Sequence, residues 1–251
     1  MSEGRSAIGL YLNKVEARHS MPEGARQAIF ALRHNRHSYE TYRDIVREGD
    51  RPTRCCLLES GFVSRYKTLP GGGRQINSFH IPGDMIDLQS SLLLVADHGI
   101  RTHSPSTIVT FDAQDVLALA EEWPAWGRAF WFDTMVDASI FREWTLNVGR
   151  RSAVPRIAHL LLEVAARLES IGRSDGRKFT LPVTQADLAD AVGLSAVHTN
   201  RSLQKLREDG LIRSYGRTVV LEDVEALKGI ASFTSRYLHP EGPRQRTAVA
   251  A

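Results

Sequence analysis

The stretch from Val183 to Leu221, VTQADLADAVGLSAVHTNRSLQKLREDGLIRSYGRTVVL, decides how the rest of the 251-residue chain is read. Thr184 suits a helix N-cap, and Asp187 three residues on approximates a capping box, with Asp in place of the usual Glu or Gln. Leu188, Ala189 and Val192 give the following helix one apolar face. Gly193 permits a sharp left-handed turn, Ser195 caps a second helix running to about Asp209, and Gly210 stops it. So short a turn makes the two helices cross steeply. Leu203 and Leu206 hold the second helix to the first. Its other side carries Ala196, Val197, His198, Asn200 and Arg201, short or polar residues suited to a major groove. Leu211 to Ser214, a Tyr215-Gly216-Arg217 turn and Thr218 to Leu221 then predict a small hairpin, the wing of a winged helix.

Working outward, Ala153 to Ile171 reads as an amphipathic helix with Ile157, Leu160, Leu161, Val164 and Leu168 on one face, followed by a polar loop from Gly172 to Lys178. Residues 121–150 lose all turn signals and predict a long helix, with Pro124 in its first turn. Trp126, Ala129, Phe132, Val136, Ile140, Trp144 and Val148 recur every three or four residues, and Phe130, Trp131, Met135 and Phe141 widen the apolar surface beyond one stripe. A surface helix buries one face; this one has enough for two. A second copy of the same helix is the expected cover, with Phe132, Val136, Ile140 and Trp144 as the seam of a homodimer; the alternative is a helix central to the core of a monomer.

Upstream, residues 39–118 change character. Short β-rich stretches (Cys55 to Leu58, Phe62 to Thr68, Arg74 to His80, Thr107 to Phe111) alternate with turn signals at Glu48-Gly49-Asp50, Ser60-Gly61, Pro70-Gly71-Gly72-Gly73 and Pro82-Gly83-Asp84. That pattern predicts an antiparallel sandwich or barrel. The Gly-rich run reads as a hairpin turn, since no helix opening with Lys-Ser or Lys-Thr follows to make a phosphate loop. Residues 1–38 read as short helices, with Arg33 to His37 as a solvated helix end; His34 and His37 have helical spacing but no third metal ligand nearby, and no metal site is expected. The vicinal Cys55 and Cys56 read as packing residues, one on each face of a strand, with a redox-sensitive thiol as the alternative. Residues 231–251 read as a frayed tail.

The longest apolar run, Ser90 to Ala96, is far too short to span a membrane and reads as a strand or buried segment. The first residues, MSEGRSAIGL, lack the apolar core of a secretory signal, so a cytoplasmic location is expected. Charge is uneven: residues 1–149 hold 16 Lys and Arg against 18 Asp and Glu, and residues 150–251 hold 16 against 11. The basic excess therefore coincides with the two-helix unit, as in a neutral sensing part joined to a nucleic-acid-binding part. Ser, His and Asp are scattered, with no GxSxG, HExxH or CxxC spacing, so no enzyme is expected.

From about Tyr39 to Leu227 the chain resembles the Crp/Fnr family of bacterial transcription regulators. The matching features are Gly49-Asp50, Ser60-Gly61 before Phe62-Val63, Pro82-Gly83-Asp84, the long helix, and Gly193-Leu194-Ser195 with Arg201. The resemblance implies an α+β fold. A cyclic-nucleotide-binding-like antiparallel β-roll (residues 1–120) would act as sensor. A dimerisation helix (121–150), a winged helix-turn-helix (151–230) and a tail (231–251) would follow. It implies a homodimer on double-stranded DNA with an inverted-repeat operator; the alternative is a nucleotide-sensing regulatory protein whose DNA activity is secondary. By resemblance Arg201 reads a guanine, Val197 and Ala196 meet bases that differ from those of cyclic-AMP receptors, and Val197 suits a thymine methyl. His198 and Asn200 contact a base or a phosphate. Thr184, Gln185 and Ser195 grip phosphates from helix N-termini, and Lys205 and Arg217 complete the DNA set. The loop Ser170 to Lys178 lies where the family touches RNA polymerase.

The sensor departs from the family's known signatures. The Gly-Glu pair that holds cyclic AMP falls on Asp87-Leu88, and the Arg-Ser pair falls near Ala96-Asp97, with Arg101 four or five residues off. A carboxylate where a phosphate should sit argues against cyclic AMP. No cysteine occurs in residues 1–38, where the oxygen sensors keep their cluster, and the haem-ligand positions fall on Asp87 and Gln89. No cofactor is expected; the candidate effector positions are Asp87, Leu88 and Arg101.

Overall fold

The computed structural model describes residues 6–242. Two short helices, α1 (Ala7–Glu16) and α2 (Glu23–Ala31), precede seven strands: β1 (His34–Tyr39), β2 (Asp44–Val46), β3 (Arg54–Ser60), β4 (Val63–Thr68), β5 (Arg74–His80), β6 (Gly99–Thr102) and β7 (Ser106–Asp112). They form two antiparallel sheets, ordered β1-β7-β3 and β2-β6-β4-β5, that close a roll. Its interior is filled by Val46, Cys56, Leu58, Val63, Ile86, Ala96, Ile100 and Ile108. Strand β3 is buried on both faces: Cys56 and Leu58 point into the roll, while Cys55 and Leu57 meet Tyr11, Leu12 and Val15 of α1 in a second core. The vicinal cysteines thus face opposite sides, as the strand period requires. Burial pushes the Cys55 thiol up to about 12, and raises that of Cys56 as well, so both are packing groups.

Downstream lie α3 (Ala113–Glu122), the 27-residue α4 (Pro124–Arg150) and α5 (Ala153–Ser170). A small sheet ordered β8-β10-β9 follows, from β8 (Lys178–Thr180), β9 (Ile212–Tyr215) and β10 (Thr218–Leu221). It flanks α6 (Gln185–Val192) and α7 (Ala196–Glu208), and α8 (Val224–Ala231) closes the unit. The fold is α+β, with the roll, the long helix and the winged two-helix unit in the expected order.

Four local expectations are overturned. Residues 34–37 are not a helix end: His34 to Tyr39 pair in register with β7, from His34 opposite Phe111 to Tyr39 opposite Ser106. The run after Ser90 is neither strand nor core. A 3-10 turn at Leu88–Ser91 leads into Leu92, Leu93, Leu94 and Val95, all exposed, Leu94 at 81%. Lys178 does not end a loop but begins β8, which pairs with β10 as a third wing strand. Residues 231–242 are docked, not frayed: Tyr237 is buried and donates its hydroxyl to Glu163 of α5 (2.8 Å), and Leu238 is buried beside it. Residues 243–251 of the expected tail lie outside the described residues.

The fifth correction concerns α4. Val136, Ile140 and Trp144 are buried within the chain itself and Phe132 packs against the same core. They form the seam between roll and downstream unit, joining Phe62, Ile76, Phe79 and Ile81 of the roll to Ile157, Leu161, Leu188 and Val192. Trp144 stacks edge-on against Phe79 at 5.8 Å and donates its indole N–H to Glu163 at 3.0 Å. At about 100° per residue, the unpartnered row Trp131, Met135, Arg142 and Leu146 lies on the other side of the helix. Trp131 is 69% exposed, and Met135 and Leu146 are exposed too. The apolar surplus of α4 is therefore real, but the expected seam residues are those its own chain covers.

Candidate nucleic-acid interface

The two-helix unit is assembled by its caps. The Thr184 hydroxyl accepts from the Asp187 amide (3.1 Å), and Asp187 Oδ2 accepts from the Thr184 amide (3.0 Å), so Asp serves the capping box in place of Glu. Gly193 ends α6 at φ +62°, and an added Cβ there would come within 2.9 Å of Val148; the turn needs glycine for both reasons. Ser195 then caps α7 by accepting from the His198 amide (3.2 Å). Thr199, Ser202, Leu203 and Leu206 face inward, and Arg156 of α5 donates to the Val192 carbonyl (2.8 Å), fixing α6 from behind.

What is left outward on α7 is one continuous strip: Ala196, Val197, His198, Asn200, Arg201, Gln204 and Lys205 are all exposed. Arg201 projects from the strip's centre, while Lys205 is engaged with Asp209 one turn on (2.6 Å). Thr184, Gln185 and Ser195 are exposed at the N-termini of α6 and α7, where amide groups and helix dipoles favour anions. Arg217 is exposed at the tip of the β9–β10 turn, beside Gly216. The ten sequence-selected side chains are therefore all exposed, on α6, α7 and their caps or on the wing turn. Sequence reading passed over Gln204, although it lies three residues beyond Arg201 on the same strip; it donates to Glu208 (3.0 Å).

The sensor residues are not brought together. Asp87 is buried at the start of the 3-10 turn, with one carboxylate oxygen unpartnered; burial raises its pKa to about 6, partly offset by Ser90 and Arg65. Leu88 is buried next to it and packs with the α1 core. Arg101 is elsewhere, on β6, ion-paired with Asp44 of β2 (3.0 Å) and lying over the Tyr66 ring. The roll's link to α4 is made instead by Arg65, which sequence reading did not select. It is buried, donates to the Ile86 carbonyl (3.0 and 3.1 Å), pairs with Asp137 of α4 and lies over Phe141. Nothing local in the sequence around Arg65 signals this partner 72 residues away.

A family model for a Crp-like helix-turn-helix domain matches residues 155–230, and one for a cyclic nucleotide-binding domain matches residues 36–122. The chain belongs to the Crp/Fnr family of transcription regulators. Among curated relatives of this Crp/Fnr regulator, the nitrogen fixation regulation protein FixK of Rhizobium meliloti is 27% identical over 198 residues, covering 78% of this chain and 86% of FixK. The transcriptional activator protein FnrL of Cereibacter sphaeroides is 24% identical, over 76% of this chain and 77% of its own length. Among solved structures, FixK2 from Bradyrhizobium japonicum superposes with a TM-score of 0.74 at 24% identity, covering 81% of this chain and all of FixK2. The regulator CLP of Xanthomonas campestris, described as responsive to c-di-GMP, gives 0.65 at 20% identity. The regulator accordingly pairs a DNA-binding helix-turn-helix with a sensor-type roll. Among its described residues, no helix is long and apolar enough to cross a membrane.

Proposed function

We propose that this regulator acts as a cytoplasmic homodimer that reads an inverted repeat through α7, without enzymatic activity. The exposed strip centred on Arg201, set at the end of a capped, glycine-hinged helix pair, carries that reading. Arg201 reads a guanine through its two parallel N–H donors; Val197, the most apolar group on the strip, meets a thymine methyl; Thr184, Gln185, Ser195, Lys205 and Arg217 address phosphates. Pairing runs through Trp131, Met135 and Leu146 of α4, the apolar row its own chain leaves open. A two-fold axis along α4 sets the recognition helices in successive major grooves, about 34 Å apart.

In this reading the roll domain (residues 1–120) senses, α4 pairs and the winged unit (151–230) reads. Cyclic AMP is not the effector in this reading: the position of the Gly-Glu pair holds the buried Asp87 and Leu88, where a carboxylate repels a phosphate, and no arginine stands at Ala96. Where the protein activates transcription, the loop between α5 and β8 (Ile171 to Arg177), with Arg173, Asp175 and Arg177 exposed, meets RNA polymerase. Selection of duplexes from a randomised pool tests the function directly. Enrichment of palindromes with half-site centres about one helical turn apart is the expected result; enrichment of nothing, or of non-palindromic sites, overturns it.

A further inference from the structure

The carboxylate that caps α6 has more partners than a cap needs. Asp187 accepts from the Thr184 amide and from the Thr184 hydroxyl (2.7 Å), which completes the capping box. It also accepts from Arg74 Nη2 of β5 (2.6 Å), and His103 Nδ1, just beyond β6, lies 3.4 Å from its second oxygen. Arg74 Nε reaches on to Asp190, one turn along α6 (2.7 Å), and the neighbouring Gln75 donates to the Ala191 carbonyl (3.3 Å). The first turn and the far end of α6 are thus both tied to the roll, from two adjacent residues that follow the Gly-rich hairpin turn and from one further side chain.

His103 is completely buried, sharing a hydrogen bond with Ser64 (2.8 Å) and wedged edge-on against Tyr42 and Phe79. It has no freedom to serve the cap except from a fixed place in the roll. Burial pushes the Asp187 carboxyl up, but the close approach of the His103 ring and the bonds from Thr184 outweigh it and hold the group well below the usual carboxylate range. Arg74 likewise stays charged despite partial burial, because Asp190 and Asp187 both accept from it. With all these contacts made, the strip on α7 from Ala196 to Lys205 is open. The contact does not cover the reading face; it fixes the angle at which that face is presented.

We propose that Arg74 and His103 are positioning residues for DNA recognition: through Asp187 they fix the angle of the helix-turn-helix against the roll. In the homodimer proposed above, on which this inference rests, that angle sets the span between the two recognition helices. The apolar seam of Phe79, Trp144, Leu188 and Val192 keeps the two units attached when the polar contact is lost. The expected loss is therefore of angular restraint, not of the fold.

The test uses the full chain and a palindromic duplex selected by the wild type, together with its single half-site and versions whose half-site separation is changed by one or two base pairs. Arg74→Ala should bind the half-site as the wild type does, bind the full site about tenfold more weakly, and lose most of the penalty for altered spacing. A merely structural role would not flatten the spacing preference. His103→Gln should act in the same direction, and Asp190→Asn, at a half-exposed position, serves should Arg74→Ala not fold. A second readout needs no DNA: spin labels at Leu69 and Glu208 should show a broader distance distribution in the variant than in the wild type. Unchanged full-site affinity and spacing preference, an increased full-site affinity, or an unchanged distance distribution would overturn the proposal. Failure of the underlying reading shows separately, as a wild type that selects no palindrome.

Discussion

Replacing Trp131 by alanine should split the dimer while leaving the protomer folded, and the size of the effect follows from exposure. Trp131 keeps 69% of its surface exposed in the protomer, next to the exposed Met135. A tryptophan offers roughly 200 Å², so full cover would remove on the order of 140 Å² from water, about 3.5 kcal/mol per protomer at ~25 cal/mol per Å². Two-fold symmetry doubles the term, and incomplete cover in the complex reduces it to about 3–4 kcal/mol, a typical value for a central aromatic anchor. The dimer dissociation constant should rise by roughly two to three orders of magnitude. Sedimentation over a concentration series measures it, with thermal unfolding as the control. Ile140→Ala gives the opposite signature: Ile140 is 6% exposed within the seam, so truncation should cost about 2–5 kcal/mol of stability with little change in pairing once folded. A dissociation constant for Trp131→Ala within about threefold of the wild type, far less than one such anchor supplies, would refute the assignment of the pairing face.

Arg201→Ala should lower the ratio of operator to scrambled-duplex affinity by about 10- to 100-fold at fixed salt, the value of one bidentate guanine contact; competition binding reads it, and an unchanged ratio removes Arg201 from base recognition. Asp87→Asn should stabilise the protein near neutrality. The folded carboxyl titrates at about 6 against 3.8 for the free group, so the folded state keeps a proton that the unfolded chain has already lost. Stability from this group is therefore lost as pH rises from about 4 to about 6, by on the order of 3 kcal/mol. Denaturant melts from pH 4 to 7 should show a slope in the wild type that is absent in the variant; parallel curves would count against the raised pKa of this buried carboxyl. Cyclic AMP should give no saturable heat in calorimetry and no change in operator affinity, and tight binding would contradict the reading of Asp87 as a carboxylate at the phosphate position.

The winged unit was legible because its determinants are local. Caps at Thr184 and Ser195, the glycine at 193 and the inward Leu203 and Leu206 all act within a few residues, and the structure forms each cap as written. Strand β1 was not legible: His-Asn-Arg-His-Ser-Tyr has no apolar alternation, and it is a strand only because β7 offers it a register 70 residues later. The same holds for β8, whose partner β10 lies some 40 residues on. Apolar periodicity measured how much of α4 is buried but not by what. Phe132, Val136, Ile140 and Trp144 form one row and Trp131, Met135 and Leu146 another, and only the folded chain shows which its own roll covers. Leu92 to Val95 mislead in the opposite sense, an apolar run that the chain leaves exposed. Arg65, Arg74 and His103 gave no signal at all, since each acts on a residue more than 70 positions away.

Moving the pairing row to the other side of α4 changes how the units of this regulator depend on one another. In the proposed homodimer one side of the helix meets a second copy; the opposite side is the seam that carries Phe79 of the roll against Trp144 and, through Glu163, the buried Tyr237. Glu163 also faces Arg167, which donates to Asp84 in the roll's Pro-Gly-Asp turn (2.7 Å) and to the Phe79 carbonyl (2.8 Å). Asp84 receives Lys14 of α1 as well (2.9 Å) and stays ionised despite complete burial because these cations outweigh the desolvation. Packed interiors shift between discrete arrangements instead of deforming smoothly. Turning α4 about its axis would therefore disturb the pairing row and the seam together. Loss of full-site binding then has two separable origins. A Trp131 variant loses it by dissociation and recovers at high protein concentration. An Arg74 variant stays paired, and its weaker full-site affinity and flattened spacing preference persist at concentrations where every protomer is paired, because its recognition helices no longer hold a fixed span.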